Sequence, residues 1–125
     1  MRMVKQRQVY WVDLEKVFPK DKHYQKGVRP CLIVSNNLNN EHCDLVTVIP
    51  LTTQKDNLPQ HKWVYVNHKK NYLLPEMIVT IDKKYLMDYY GNINEGYYKQ
   101  VLKAMETQFG MQERISNEEY KEFDN

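Results

Sequence analysis

A mostly β domain closed by one C-terminal helix is the fold that this sequence predicts, on three observations. Short runs of β-branched and aromatic residues recur through the first three quarters of the chain. Proline, glycine and asparagine clusters separate those runs. Only near the end does an apolar stripe of helical period appear, which places the helix after the strands.

The first run, Val9-Tyr10-Trp11-Val12-Asp13-Leu14 with Gln8 before it, reads as a strand. Residues 15–27 are polar, contain Pro19 and end in Lys26-Gly27, so they read as a long loop, a length that is often functional in a small domain. Pro30-Cys31-Leu32-Ile33-Val34-Ser35 is a continuous apolar run, the pattern of a buried strand. The asparagine-rich residues 36–40 read as a turn, because Asn tolerates left-handed backbone. Residues 45–51 form the next strand, and Pro50 inside it implies an edge position or a bulge. After a polar loop, Trp63-Val64-Tyr65-Val66 reads as a strand, and residues 72–81 as extended chain interrupted by Pro75. Gly91 marks a turn. Asn92 is placed to cap the helix, with Glu95 three residues on as in a capping box. Tyr98, Val101, Leu102, Met105 and Phe109 form its apolar stripe, for core or dimer packing, and Gly110 ends it.

A chain of 125 residues is one domain by size and can bury a core without staples. We divide it into a domain over residues 1–110 and an acidic tail over residues 111–125. The tail holds five acids against two bases, so a net charge of +2 for the whole leaves +5 on the body, a modest bias towards an anionic partner. No run approaches the roughly 18 apolar residues of a membrane span, and no apolar leader follows the first methionine, so a cytoplasmic protein is expected. Cys31 and Cys43 lack CxxC spacing; Cys31, inside an apolar run, reads as a small core residue. The four histidines show no metal-ligand spacing, and no phosphate loop, dinucleotide fingerprint, HExxH or GxSxG is present. What pattern offers instead is polar residues at strand ends: Arg29, then Thr52, Thr53 and Gln54, then Glu76.

Five pieces, in order, resemble the MazF/PemK/Kid toxin family. They are Val9-Tyr10-Trp11-Val12-Asp13-Leu14; Gly27-Val28-Arg29-Pro30 with its apolar run and Ser35-Asn36; Leu51-Thr52-Thr53-Gln54; Leu58-Pro59-Gln60-His61; and Thr80-Ile81-Asp82-Lys83. The resemblance implies an SH3-like β-barrel of the MazF/CcdB type, assembled as a homodimer and neutralised by a cognate MazE-like antitoxin. It implies a cofactor-free endoribonuclease that cuts single-stranded RNA at short sequences without a metal. On the matching positions, Arg29 and Thr52 take the catalytic places, and Glu76 that of an acidic participant. Arg29 can offer phosphate a planar fork of donors, Thr52 a short hydroxyl, and Glu76 a base for the ribose 2′-OH. Tyr24, Lys26, Thr53 and Gln54 are the expected RNA contacts, Tyr24 by stacking; His61 reads as a packing or hydrogen-bonded residue. The sequence also departs from the family: Gln6-Arg7-Gln8 replaces R-G-D/E, Tyr24 an acid, and Met77 and Val79 a Gln and an Arg. A binding protein on the same scaffold, a catalytically inactive member or a CcdB-like gyrase poison, is therefore the alternative.

Overall fold

The computed structural model describes residues 3–18 and 27–111. The expectations on Tyr24, Lys26 and most of the acidic tail fall outside those residues. Among the described residues seven strands form, β1 (Gln8–Asp13), β2 (Val28–Ile33), β3 (Leu45–Thr52), β4 (Trp63–Val66), β5 (Lys69–Leu73), β6 (Val79–Asp82) and β7 (Leu86–Asn92). They pair antiparallel in the order β4-β5-β3-β2-β1-β7, with β6 also on β3. This curled sheet and its C-terminal helix have the expected fold class.

Alternation along the strands gives the sheet two apolar faces. Tyr10, Val12, Cys31, Ile33, Val46 and Val48 build a core on one face, and Val9, Leu32, Ile49, Leu51, Val64 and Leu73 a second core on the other. The helix α3 (Tyr98–Phe109) covers the second core with Val101 and Ala104, both fully buried. Gly110 caps it in the left-handed conformation at φ 64°, its N–H reaching the carbonyls of Glu106 and Thr107. Only part of the expected stripe packs inward: Leu102 and Phe109 are 47% and 51% exposed.

The structure corrects several local expectations. Asn92 remains in β7, because its residue pairs with Gln8 of β1; the cap is Asn94, whose side chain accepts from the N–H of Gly96 and starts a 3-10 turn ahead of α3. The asparagine cluster is a short helix, α2 (Asn37–His42), because the Asn36 side chain accepts the Asn39 N–H at 2.8 Å and caps it. One helical turn, α1 (Leu14–Val17), opens the long loop, capped by Asp13.

Pro50 is neither on an edge nor at a bulge. β3 pairs β2 on one side, while on the other it pairs β6 over Leu45–Val48 and β5 over Leu51 and Thr52. Pro50 stands between those two partners, where its missing N–H leaves no gap in either ladder, and its carbonyl accepts the Leu74 N–H at 3.0 Å. Gly91 lies in β7 rather than in a turn. A Cβ there would meet Oδ1 of Asn67 at 2.8 Å. Asn67 and His68, at φ 50° and 63°, form the two-residue β4–β5 hairpin turn, and the Asn67 amide donates to the Tyr90 carbonyl at 2.6 Å.

Candidate active site

Strand register brings the two expected catalytic residues together. Cys31 opposes Pro50 across β2 and β3. The ladder ends there, so Arg29, two residues before Cys31, and Thr52, two residues after Pro50, lie at neighbouring strand ends. Both line one pocket of about 180 Å³, together with Thr53, Pro30, Lys69 and Asn71. Trp11 and Tyr90 form one wall, their rings edge to face at 4.9 Å. Arg29 is half-buried and Thr52 is 5% exposed. The Thr52 hydroxyl oxygen accepts the Gln54 N–H at 3.2 Å, so its hydrogen remains to donate elsewhere. Gln54 thus touches the site through its backbone; its exposed side chain is not among the pocket's walls.

Glu76 stands in a different group. Leu73 N–H bonds the Lys62 carbonyl at 2.8 Å, so the chain just before β4 runs beside Leu74 and the 3-10 turn Pro75–Met77 that carries Glu76. There His61 Nε2 lies 2.6 and 2.8 Å from the two Glu76 carboxylate oxygens, and Nδ1 lies 2.7 Å from Asp56 Oδ1. The imidazole is 2% exposed, whereas the carboxylates are 34% and 49% exposed. The Leu58 N–H holds the Asp56 carboxyl below the usual carboxylate range, with His61 adding to the effect. Bonded on both sides, the ring cannot swing, and it fixes the carboxylate it faces.

His61 is thus a hydrogen-bonded residue, as expected, and its partners are Asp56 and Glu76. The clue in the sequence is Asp56, five residues before the histidine and able to reach back across a tight turn. Trp11, Lys69 and Asn71 are further pocket residues that strand-end inspection misses, since they reach the site through pairing of distant strands. Cys31 is fully buried, and burial pushes its thiol pKa up, in keeping with a packing role. Among the described residues, no three His, Cys, Asp or Glu side chains are grouped to hold a metal ion, and no helix is long and apolar enough to cross a membrane.

A family model described as PemK-like, MazF-like toxin of type II toxin-antitoxin system matches residues 5–109. Endoribonuclease EndoA of Bacillus subtilis is 31% identical over 110 residues, covering 83% of this chain and 92% of that protein. A mycobacterial endoribonuclease solved in complex with its cognate antitoxin superposes with a TM-score of 0.65 at 30% identity, over 88% of this chain and 96% of its own. MazF from Deinococcus radiodurans gives a TM-score of 0.72 at 16% identity, over 88% and 99% of the two chains, a likeness of fold.

Proposed function

Because the chain belongs to the PemK-like, MazF-like toxins of type II toxin–antitoxin systems, we propose that it is an endoribonuclease that cuts single-stranded RNA at short sequences without a metal. The observation that carries the reading is the shared pocket of Arg29 and Thr52.

Cleavage begins when the ribose 2′-OH attacks the adjacent phosphorus, gives up its proton, and expels the 5′-oxygen of the next nucleotide. Negative charge then grows on the phosphoryl oxygens, where fixed donors lower the barrier most. Arg29 supplies a charged fork to those oxygens and also stands ready to protonate the leaving oxygen. The Thr52 hydroxyl donates to the same phosphate, held in direction by its bond from Gln54. To Glu76, which stands outside that pocket, falls the part of base for the 2′-OH, and His61, pinned by Asp56, orients its carboxylate. The products are a 2′,3′-cyclic phosphate and a 5′-hydroxyl, and DNA, lacking the 2′-OH, is not cut. Tyr24, Lys26, Thr53 and Gln54 are assigned to holding the flanking RNA.

In this reading residues 1–110 are the toxin domain and residues 111–125 an acidic tail. The protein acts in the cytoplasm, and an antitoxin neutralises it by folding a segment onto it. It works as a homodimer; the exposed Leu102 and Phe109, seven residues apart on one side of α3, are apolar surface for a second copy to cover.

The test is to incubate the purified protein with a long RNA in EDTA and map the cut ends. Specific cuts leaving cyclic phosphates, lost in Arg29→Ala and Thr52→Ala dimers, are expected. Intact RNA alongside inhibited gyrase would replace this reading with the gyrase-poison alternative.

A further inference from the structure

Thr52 also opens a lateral row of the sheet that runs away from β2. Thr52 pairs with Tyr72 of β5, and Tyr72 with Trp63 of β4. Directly opposed residues in an antiparallel sheet share a face, so these side chains continue one lateral row. One row further on, Lys70 opposes Tyr65 on the same face. At strand spacings of about 4.8 Å, Trp63 stands about 10 Å from Thr52 along the sheet.

The chemistry of this face is unlike that of an ordinary solvated strand. Trp63 and Tyr65 lie edge to face at 5.5 Å, and Tyr97 completes a three-ring cluster at 5.9 and 5.8 Å from them. The Lys70 ammonium sits 4.6 Å from the Trp63 ring and 5.6 Å from the Tyr72 ring. Tyr65 is 40% exposed and Trp63 half-buried, although β4 is an edge strand of the sheet. Residues 62–73 hold three lysines and no acid. The opposite face of the same strands, Val64, Val66 and Leu73, already fills the second core, so the aromatic rings are not needed there.

We propose that Trp63, Tyr65 and Lys70, backed by Tyr72 and Tyr97, form a stacking track for unpaired RNA nucleotides flanking the scissile phosphate. Aromatic faces accept any base, and an adjacent ammonium meets the phosphate that joins two of them. The lysines and the unbroken row from Thr52 favour a polyanion over a protein partner. The track deepens the ribonuclease reading and rests on it for the identity of its ligand. These residues bind and position; they do not touch the reacting atoms.

The probe is a fluorescent single-stranded deoxyoligonucleotide of about twelve residues, within the range of known single-strand sites and immune to 2′-OH chemistry. Trp63→Leu/Tyr65→Leu is expected to bind it roughly 5- to 100-fold more weakly than the wild-type protein. Lys70→Gln should lower the slope of log affinity against log salt by about 0.7. With a long RNA the double variant should raise KM and keep kcat. Tyr65→Leu alone, at an exposed site, carries the test if the double variant does not fold. Unchanged oligonucleotide binding and unchanged KM in a folded variant overturn the track and leave the face to a protein partner. If binding falls as stated but the wild-type protein cuts no RNA, the track stands and the ribonuclease reading fails.

Discussion

Replacing Thr52 by Val separates the chemistry of the site from its packing. The two side chains are nearly equal in volume, and Thr52 is 5% exposed, so no cavity forms. What is lost is one hydroxyl with two tasks. As acceptor it takes the Gln54 N–H at 3.2 Å, a long bond worth about 0.5–1 kcal/mol, and Gln54 is exposed enough for water to replace part of that. A domain of this size should then lose only about 2–4 °C in Tm. As donor to the phosphate in the transition state it resembles one member of an oxyanion hole, whose removal costs about 10²–10³ in rate. Single-turnover cleavage of an end-labelled RNA in EDTA, at saturating enzyme, measures that step alone. Thr52→Ser, which restores the donor, should recover most of the rate. A Thr52→Val enzyme that cuts at the wild-type rate, or a Thr52→Ser enzyme as slow as Thr52→Val, would refute the assignment.

Three other outcomes are expected. Gly91→Ala forces a methyl against Asn67 Oδ1 at 2.8 Å and displaces its 2.6 Å bond to Tyr90; it should cost about 1–3 kcal/mol in urea unfolding. The folded Asp56 carboxyl has a pKa below its unfolded value of about 3.9, so its contribution to stability is in full above that pH and is lost as pH falls through the lower, folded value. Asp56→Asn should therefore flatten the acid limb of a Tm–pH curve below about pH 4 and leave the neutral region nearly unchanged in slope. Cys43, half-exposed, should react with an aromatic disulfide reagent in the native protein, while Cys31, fully buried with its thiol pKa pushed up, should react only on unfolding.

What the sequence made legible was set by local chemistry. Trp63–Val66 alternates aromatic and β-branched residues and is β4 as expected. The helix also forms where its period lies, because Val101 and Ala104 recur on the buried side. Asparagines were harder to read, since the same short amide serves a left-handed turn at Asn67 and a helix cap at Asn36 and Asn94. Which task wins depends on whether the next backbone groups already have partners, and Asn92 lost its capping role to the β1 ladder. That Arg29 and Thr52 line one pocket depends on how β2 and β3 lie together, which no local rule specifies; family likeness pointed to the two residues but not to their pairing. The bond between His61 and Glu76 depends on the path of the chain around β5, and only the structure reveals it.

β3 belongs to two ladders on one flank and a third on the other. Were it to fray, β2, β5 and β6 would all lose hydrogen-bond partners together, so partial opening offers almost no saving over complete unfolding. The amides of Val46, Val48 and Ile49 should then exchange with deuterium only at the rate of global denaturation. Thr52 closes this strand, and its hydroxyl is consequently tethered to the last part of the molecule to let go.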